Sequence, residues 1–299
     1  MSATIEIRNL NQYYGKKQAL HQISLTIKTG MFGLLGRNGA GKTTLMKVLA
    51  TLLPRSEGDV SVCGKNILQA GEIRKLVGYL PQDFSMYPNM TVYEAMDYLG
   101  VLSGIRKADR RQRIDELLMR VNLLDDQKKK VKALSGGMKR RLGIAQAILH
   151  HPQVLIVDEP TAGLDPEERV RFRNLLCEMA QDRIVILSTH IVGDIEATCE
   201  DIAVLDAGSM IYRGTVADLI AGTQGKVYSA QISRSELEIL KKEYIVTSML
   251  SLGNNVVARF LSEEKPFASA TPCEAGAEDA YMYLMYTERG ERGCLDSCL

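Results

Sequence analysis

The segment GRNGAGKT, residues 36–43, constrains the fold more than any other part of the chain. It follows a short apolar run, MFGLLG at residues 31–36, which is typical of a strand buried on both faces. It leads into KTTLMKVLATLL at residues 42–53, which has helical spacing of apolar residues and good helix formers. A strand, a glycine-rich loop and a helix in this order form a phosphate-binding loop. The sequence therefore predicts a nucleotide site between this strand and this helix.

The residue types in this phosphate loop, residues 36–43, suit a nucleotide phosphate chain. Glycines let backbone N–H groups turn toward the phosphates, and the following helix adds its positive N-terminus. We expect Lys42 to neutralise the β- and γ-phosphates and the Thr43 hydroxyl to bind Mg²⁺. The alternative is a turn that only joins strand to helix, which would require neither side chain. The predicted nucleotide-binding residues here are Gly36, Arg37, Asn38, Gly39, Ala40, Gly41, Lys42, Thr43 and Thr44.

Two adjacent acids form the next candidate group. Residues 154–157 are four aliphatics that read as a buried strand, and Asp158 and Glu159 follow directly. The carboxyl end of a parallel strand is where such sheets bind ligands. Asp158 is predicted to hold Mg²⁺, and Glu159 to orient or polarise the attacking water. The alternative is a solvated strand end with two ordinary acids.

A third candidate is LSGGM, residues 134–138, which precedes the helical run KRRLGIAQAIL and lies shortly before the acidic strand. Ser135, Gly136 and Gly137 would form a helix N-terminus with bare backbone donors, which is a second phosphate-binding device. By themselves these three residues would suit a simple helix cap equally well.

The order of phosphate loop, LSGGM and acidic strand resembles the nucleotide-binding domains of ATP-binding cassette (ABC) transporters over about residues 3–222. LSGGM is similar to the family's signature sequence, with Met138 where glutamine is commoner. The resemblance implies that Ser135, Gly136 and Gly137 contact the ATP bound by a partner subunit. It also implies that Glu159 is the catalytic base.

Four further residues match family motifs. Gln82 in GYLPQD resembles the glutamine that contacts Mg²⁺ and the attacking water, which gives it a catalytic and a metal-binding role. His190 resembles the switch histidine that contacts the γ-phosphate and positions Glu159. Asp165 resembles the loop residue that reaches across the dimer. Tyr14 resembles the aromatic residue that stacks on adenine, with Tyr13 as the competing choice. Alone, these would be an ordinary surface glutamine, strand-end histidine and core tyrosine.

The resemblance further implies partners and a location. Two such subunits, identical or related, would close head to tail on ATP, and an integral membrane permease would be a separate chain. The C-terminal segment and the KRRL that follows LSGGM look like the ATPases of multidrug, antibiotic or lipid exporters. The chain is then expected to be cytoplasmic and to lie at the inner face of the cell membrane through its permease.

The whole chain reads as an α/β fold of the P-loop ABC type. Alternating runs near the N-terminus predict an antiparallel β subdomain, apolar runs separated by helical segments predict a mixed core sheet, and residues 84–150 predict a helical subdomain. We assign residues 1–222 to the nucleotide-binding domain. Residues 223–299 are assigned to a small α+β accessory domain whose last segment, TERGERGCLDSCL, is expected to be loose.

Composition bears on the alternatives. The 37 basic and 36 acidic residues leave a net charge of +1, so no nucleic-acid partner is expected. The main alternative is a soluble ABC ATPase that remodels a ribosomal or nucleic-acid complex. Such proteins commonly carry two cassettes or a long coiled-coil insertion, and the roughly 100 residues between Gly36 and Ser135 leave no room for the latter. A nucleotide switch that does not hydrolyse ATP would be expected to lack Glu159.

Overall fold

The alternating apolar and polar residues at the N-terminus form a four-stranded antiparallel sheet. A computed structural model of the chain describes residues 3–289. Apolar residues at every second position of the first two strands are buried in the core, as the period of two predicts. The strand order is β2-β1-β4-β5. The bounds of these strands are Thr4–Tyr14 (β1), Lys17–Lys28 (β2), Glu57–Val62 (β4) and Lys65–Asn66 (β5).

The apolar runs that lack alternation lie within a six-stranded core sheet of order β10-β9-β3-β8-β7-β6. The strand β3 pairs in parallel with β8 and β9, and β7 pairs in parallel with β6 and β8. Every residue of β7 and β8 is buried, which explains why these strands read as continuous aliphatic runs. The bounds are Gly30–Leu35 (β3), Val77–Leu80 (β6), Val154–Asp158 (β7), Ile184–Thr189 (β8), Asp201–Asp206 (β9) and Ser209–Thr215 (β10).

The helices of the first unit fall into two groups. Some follow or precede strands of the core sheet, and the others form the predicted helical subdomain. The first helix of that subdomain begins with a reciprocal capping box between Thr91 and Glu94, which explains why it starts where it does. The helices outside the subdomain are α1 (Lys42–Leu49), α2 (Ala70–Leu76), α6 (Pro166–Met179) and α7 (Val192–Thr198). Those within it are α3 (Val92–Leu102), α4 (Lys107–Arg120) and α5 (Gly136–Ala147), all inside the predicted range.

The chain divides into two compact units between Arg213 and Gly214, whereas the sequence pattern predicts a boundary after residue 222. The difference arises because α8 packs against α10 within the second unit. Its sheet has the order β12-β13-β11-β14, and its strands and helices confirm the predicted α+β arrangement. The bounds are Val216–Ala221 (α8), Val227–Ser233 (β11), Arg234–Glu243 (α9), Ile245–Leu252 (β12), Asn255–Leu261 (β13), Thr271–Pro272 (β14) and Ala277–Arg289 (α10).

The C-terminal segment that was expected to be loose is described only in part. The first three residues of the segment expected to be loose, residues 287–289, belong to α10. The rest of that segment, with Cys294 and Cys298, lies outside the described residues. In residues 3–289, no helix combines the length and the apolar character needed to cross a membrane.

Candidate functional site

The predicted site residues gather because their strands are parallel neighbours. The strands β3, β8, β7 and β6 lie side by side, so their carboxyl ends meet at one edge of the sheet. The phosphate loop follows β3 and His190 follows β8. Asp158 ends β7 with Glu159 directly after it, and Gln82 lies two residues beyond β6 with an exposed side chain.

The conformation of the phosphate loop depends on its glycines. Gly39 and Gly41 have φ angles of +83° and +102°, which residues with a side chain rarely adopt. A Cβ on Gly36 would approach the carbonyl oxygen of Leu205 to 2.4 Å, so the loop can pass close to β9 only without a side chain. The helix α1 begins at Lys42 with Gly41 as its N-cap, and Gly41 has no side chain to cap the first amides. A helix N-terminus of this kind suits an anion.

Lys42 is the buried cation of the site. Its side chain is 5% exposed, and its Nζ donates hydrogen bonds to the carbonyl oxygens of Gly36 at 2.6 Å and Arg37 at 3.2 Å. The same Nζ lies 3.3 Å from Oε1 of Glu159. The ammonium group is thus fixed between the backbone of the phosphate loop and the acid that follows β7.

Glu159 is held between two nitrogen groups. Its side chain is 5% exposed, and its Oε2 lies 2.7 Å from Nδ1 of His190, whose own side chain is 43% exposed. Its amide donates to the carbonyl oxygen of Ser188 at 3.0 Å. The φ angle of Glu159 is +47°, an uncommon value for a residue with a side chain, and such strain clusters at functional sites. This carboxylate is in a position to orient a water molecule and accept its proton.

Asp158 presents one unused carboxylate oxygen at the same place. The residue is completely buried, and the Ser188 hydroxyl donates to its Oδ1 at 2.9 Å. Burial raises the pKa of Asp158, an effect that hydrogen bonds from the hydroxyls of Thr43 and Ser188 only partly offset. Within residues 3–289, Oδ2 of Asp158 accepts no hydrogen bond of normal geometry. A buried, unpaired carboxylate oxygen beside a threonine hydroxyl fits a hard divalent cation such as Mg²⁺.

The LSGGM residues lie at the start of α5, next to the start of α6. Ser135 caps α5, with its hydroxyl accepting from the Met138 amide at 3.2 Å, and Gly136 has open space where a Cβ would point. A Cβ on Gly137 would lie 2.9 Å from a carboxylate oxygen of Glu168 in the first turn of α6. Asp165 caps α6 by accepting from the amide of Glu168 at 2.9 Å. The LSGGM segment and the loop that carries Asp165 are therefore neighbours.

Tyr13 and Tyr14 both lie at the end of β1, where the chain turns into β2. They are 37% and 48% exposed, so neither is a core tyrosine. Tyr14 pairs with Lys17 across the turn that contains Gly15, which has a φ angle of +57°. The greater exposure of Tyr14 leaves more of its ring free to stack on a planar ligand.

The sequence motifs did not single out three buried polar residues that lie around the site. Ser188 holds Asp158, and Thr161 donates a hydrogen bond to Asp194, which is completely buried at the start of α7. A hydroxyl inside the apolar run RIVILST is a signal that could have revealed Ser188. Nothing in the 33-residue separation of Thr161 and Asp194 indicates that they meet.

Comparison with known proteins identifies the family. Residues 20–162 match the family model described as ABC transporter. The chain is 35% identical over 224 residues to the linearmycin resistance ATP-binding protein LnrL of Bacillus subtilis, covering 74% of this chain and 72% of that protein. It is 36% identical over 223 residues to the Nod factor export ATP-binding protein I of Cupriavidus metallidurans, covering 74% of each chain.

A solved structure supports the same assignment. The fold matches cbiO1 from Clostridium perfringens, part of the ABC transporter complex cbiONQ, with a TM-score of 0.68 and 29% identity over 74% of this chain and 92% of that one. These similarities give no support to the alternative of an ATPase that remodels a ribosomal or nucleic-acid complex. The chain belongs to the ABC transporter family, as a subunit that binds and hydrolyses ATP.

Proposed function

We propose that this chain powers export of a small molecule through a separate membrane permease. Family membership implies a permease partner and dimerisation. Support for the direction comes from the relatives whose names state linearmycin resistance and Nod factor export. The observation that carries the catalytic part is the group formed by Lys42, Glu159 and His190 at the edge of the core sheet.

The proposed reaction follows from this geometry. Glu159 accepts a proton from the attacking water as the water oxygen bonds to the γ-phosphorus, and the bond to the bridging oxygen breaks to release ADP. His190 holds the Glu159 carboxylate through the contact between Nδ1 and Oε2 and, in its half-exposed position, is available to the γ-phosphate. Lys42 stabilises the negative charge on the β- and γ-phosphates.

Mg²⁺ would be held by Thr43 and Asp158, with Gln82 from the end of β6 as a third group. Support comes from the unpaired Oδ2 of Asp158 and from the hydroxyl of Thr43 beside it. The bound cation would neutralise phosphate charge during transfer. ATP hydrolysis that persisted at full rate in excess EDTA would contradict this role.

The adenine ring would stack on Tyr14, which is more exposed than Tyr13. The two tyrosines serve as matched controls because they are adjacent on the same strand. We therefore expect Tyr14→Ala, and not Tyr13→Ala, to weaken ATP binding. Equal affinities of the two variants, measured by equilibrium titration, would count against the choice of Tyr14.

We further propose that each ATP is shared between subunits, with the phosphate loop of one facing Ser135, Gly136 and Gly137 of the other. The N-terminus of α5, where the Ser135 hydroxyl caps the Met138 amide, and the open space at Gly136 support this arrangement, and Asp165 would act in the adjoining loop.

A mixing experiment tests the shared site between two copies. Lys42→Ala and Gly136→Asp are each expected to hydrolyse little ATP, because one lacks the phosphate-loop cation and the other places an anion at the helix N-terminus. A mixed dimer has one intact site, made from the unchanged loop of one chain and the unchanged LSGGM of the other. Mixing should restore measurable ATPase activity. No gain on mixing, although mixed dimers form, would contradict a site shared between two copies.

The permease is tested by affinity purification from detergent-solubilised membranes. We expect the chain to recover an integral membrane protein, which would place it at the inner membrane face as a peripheral subunit. A parallel purification of the Lys42→Ala chain should recover the same protein, because that change lies in the nucleotide site. Recovery of ribosomes or DNA in place of a membrane protein would overturn the proposed transport role.

A further inference from the structure

Asp194 is a buried carboxylate that the proposed reaction does not use. It lies in the first turn of α7, four residues after His190, and its side chain is 1% exposed. Its Oδ2 accepts a hydrogen bond from the hydroxyl of Thr161. Its Oδ1 lies 3.5 Å from Nη1 of Arg173 on α6. The carboxylate therefore joins three separate segments of the first unit.

Thr161 is the side chain that ties down the loop after Glu159. It is 1% exposed and lies two residues beyond Glu159. The loop itself has only local turns, in which the Ala162 amide donates to the Glu159 carbonyl at 3.4 Å and the Leu164 amide to the Thr161 carbonyl at 3.2 Å. The uncommon φ angle of Glu159 lies at the start of this loop, so the loop needs an anchor in the surrounding structure.

Arg173 completes the group from a third direction. Its Nη1 also donates to the carbonyl oxygen of Gly193 at 3.4 Å, and its side chain is 22% exposed. A buried carboxylate requires a counter-charge, and Arg173 supplies one from α6, the helix that begins at Asp165. The start of α7 is thereby attached both to α6 and to the loop that lies between Glu159 and Asp165.

We propose that Asp194 is a positioning residue. Its contact with Thr161 holds the start of α7, which follows His190, to the loop that follows Glu159. This contact thereby fixes the position of Glu159 relative to His190. The proposal rests on the proposed role of Glu159. Small displacements of a catalytic group reduce the rate far more than they reduce binding, and a shift of about 1 Å costs up to roughly 100-fold. ATP affinity should be preserved, because Lys42 and the phosphate loop have other supports.

The second unit contains a chemically matched control. There the hydroxyl of Thr247 donates to Oδ1 of Asp279 at 2.6 Å, and Nη2 of Arg259 lies 2.6 Å from Oδ2 of the same aspartate. Asp279 is 4% exposed and Thr247 is half-buried, so the group has the same three residue types around a buried carboxylate. Replacing Thr161 by valine removes its hydrogen bond to Asp194, and replacing Thr247 by valine removes its hydrogen bonds to Asp279 and to the carbonyl oxygen of Arg259. Only the group around Asp194 should affect catalysis.

The test measures kcat, the Kd for ATP and the thermal midpoint of the full chain and of five variants, one of which is Glu159→Gln. We expect Thr161→Val to lower kcat about 10- to 100-fold with the Kd for ATP within about twofold of the unchanged chain. Thr161→Ser should restore most of kcat because it returns the hydroxyl. Asp194→Asn combined with Thr161→Val should lower kcat little more than Thr161→Val alone, since both changes act on the contact between Thr161 and Asp194 and the asparagine oxygen can still face Arg173. Thr247→Val should lower the thermal midpoint with kcat unchanged.

Each contrary result has a distinct meaning. A kcat within twofold of the unchanged chain for Thr161→Val, measured where Glu159→Gln is inactive, overturns the positioning role and leaves the proposed function standing. A proportional fall of kcat and thermal midpoint in both valine variants also overturns it, because the loss is then general destabilisation. Full turnover by Glu159→Gln would instead overturn the proposed function itself.

Discussion

Glu159→Gln is expected to bind ATP normally and to lose about 100- to 10,000-fold in the rate of hydrolysis, which is the range for removal of a general base. Glutamine has nearly the same shape, so an oxygen can still face Nζ of Lys42, which lies 3.3 Å from Oε1. The amide cannot accept the proton of the attacking water at a useful rate. The substitution also removes a negative charge that would repel the γ-phosphate, so the Kd for ATP should be unchanged or lower. Single-turnover hydrolysis and equilibrium ATP binding measure the two effects separately.

The matched control for this variant is Glu196→Gln. Glu196 lies on α7, close along the chain to His190, but its side chain is exposed. The same chemical change there should leave the hydrolysis rate within about twofold, since surface substitutions rarely have large effects. Hydrolysis at the normal rate by Glu159→Gln would remove Glu159 from the role of base. A parallel loss of ATP binding would show that the substitution has disturbed the phosphate loop.

The parts of the site that could be predicted from sequence are those whose geometry is local. A phosphate loop needs its glycines, lysine and threonine within eight residues, and the acids Asp158 and Glu159 follow their strand directly. Both patterns have to occur at strand ends, and parallel pairing then brings the ends together. In the structure, Nζ of Lys42 on α1 accordingly lies 3.3 Å from Oε1 of Glu159, which follows β7.

The contacts that support those residues depend on tertiary packing and could not be predicted. The meeting of Thr161 and Asp194 requires α7 to lie close against β3, and it does so because Gly33 leaves space for Ile195, whose Cδ1 would be 2.6 Å from a Cβ at that position. No short spacing rule encodes a glycine on one strand and an isoleucine 162 positions later. The boundary between the two units lies before Gly214, and not after residue 222 as predicted, for the same kind of reason. The helix α8 follows β10 without a break in the sequence pattern, and only its packing on α10 assigns it to the second unit.

Lys42→Ala is expected to weaken ATP binding by roughly 10- to 100-fold, the equivalent of a lost charge-assisted hydrogen bond worth about 1.5–3 kcal/mol. The loss should fall on binding as well as on turnover, unlike that of Glu159→Gln, because Lys42 would contact the phosphates in the ground state. Two further consequences follow inside the protein. The carbonyl oxygen of Gly36 loses its donor at 2.6 Å, and Glu159 loses the ammonium group at 3.3 Å. Competition of ATP with a fluorescent nucleotide measures the affinity directly.

Lys47→Ala provides the matched control, because Lys47 lies in the last turn of the same helix and its side chain is exposed. Its removal takes away the same charge at a distance of more than one helical turn from the phosphate loop, where salt screens much of its effect on the site. The ATP affinity of Lys47→Ala should therefore differ by less than about threefold from that of the unchanged chain. This small difference should depend on ionic strength, whereas the loss of affinity in Lys42→Ala should persist at high salt. Tight ATP binding by Lys42→Ala would mean that the glycines and helix N-terminus alone hold the nucleotide, and the assignment of Lys42 to the phosphates would be wrong.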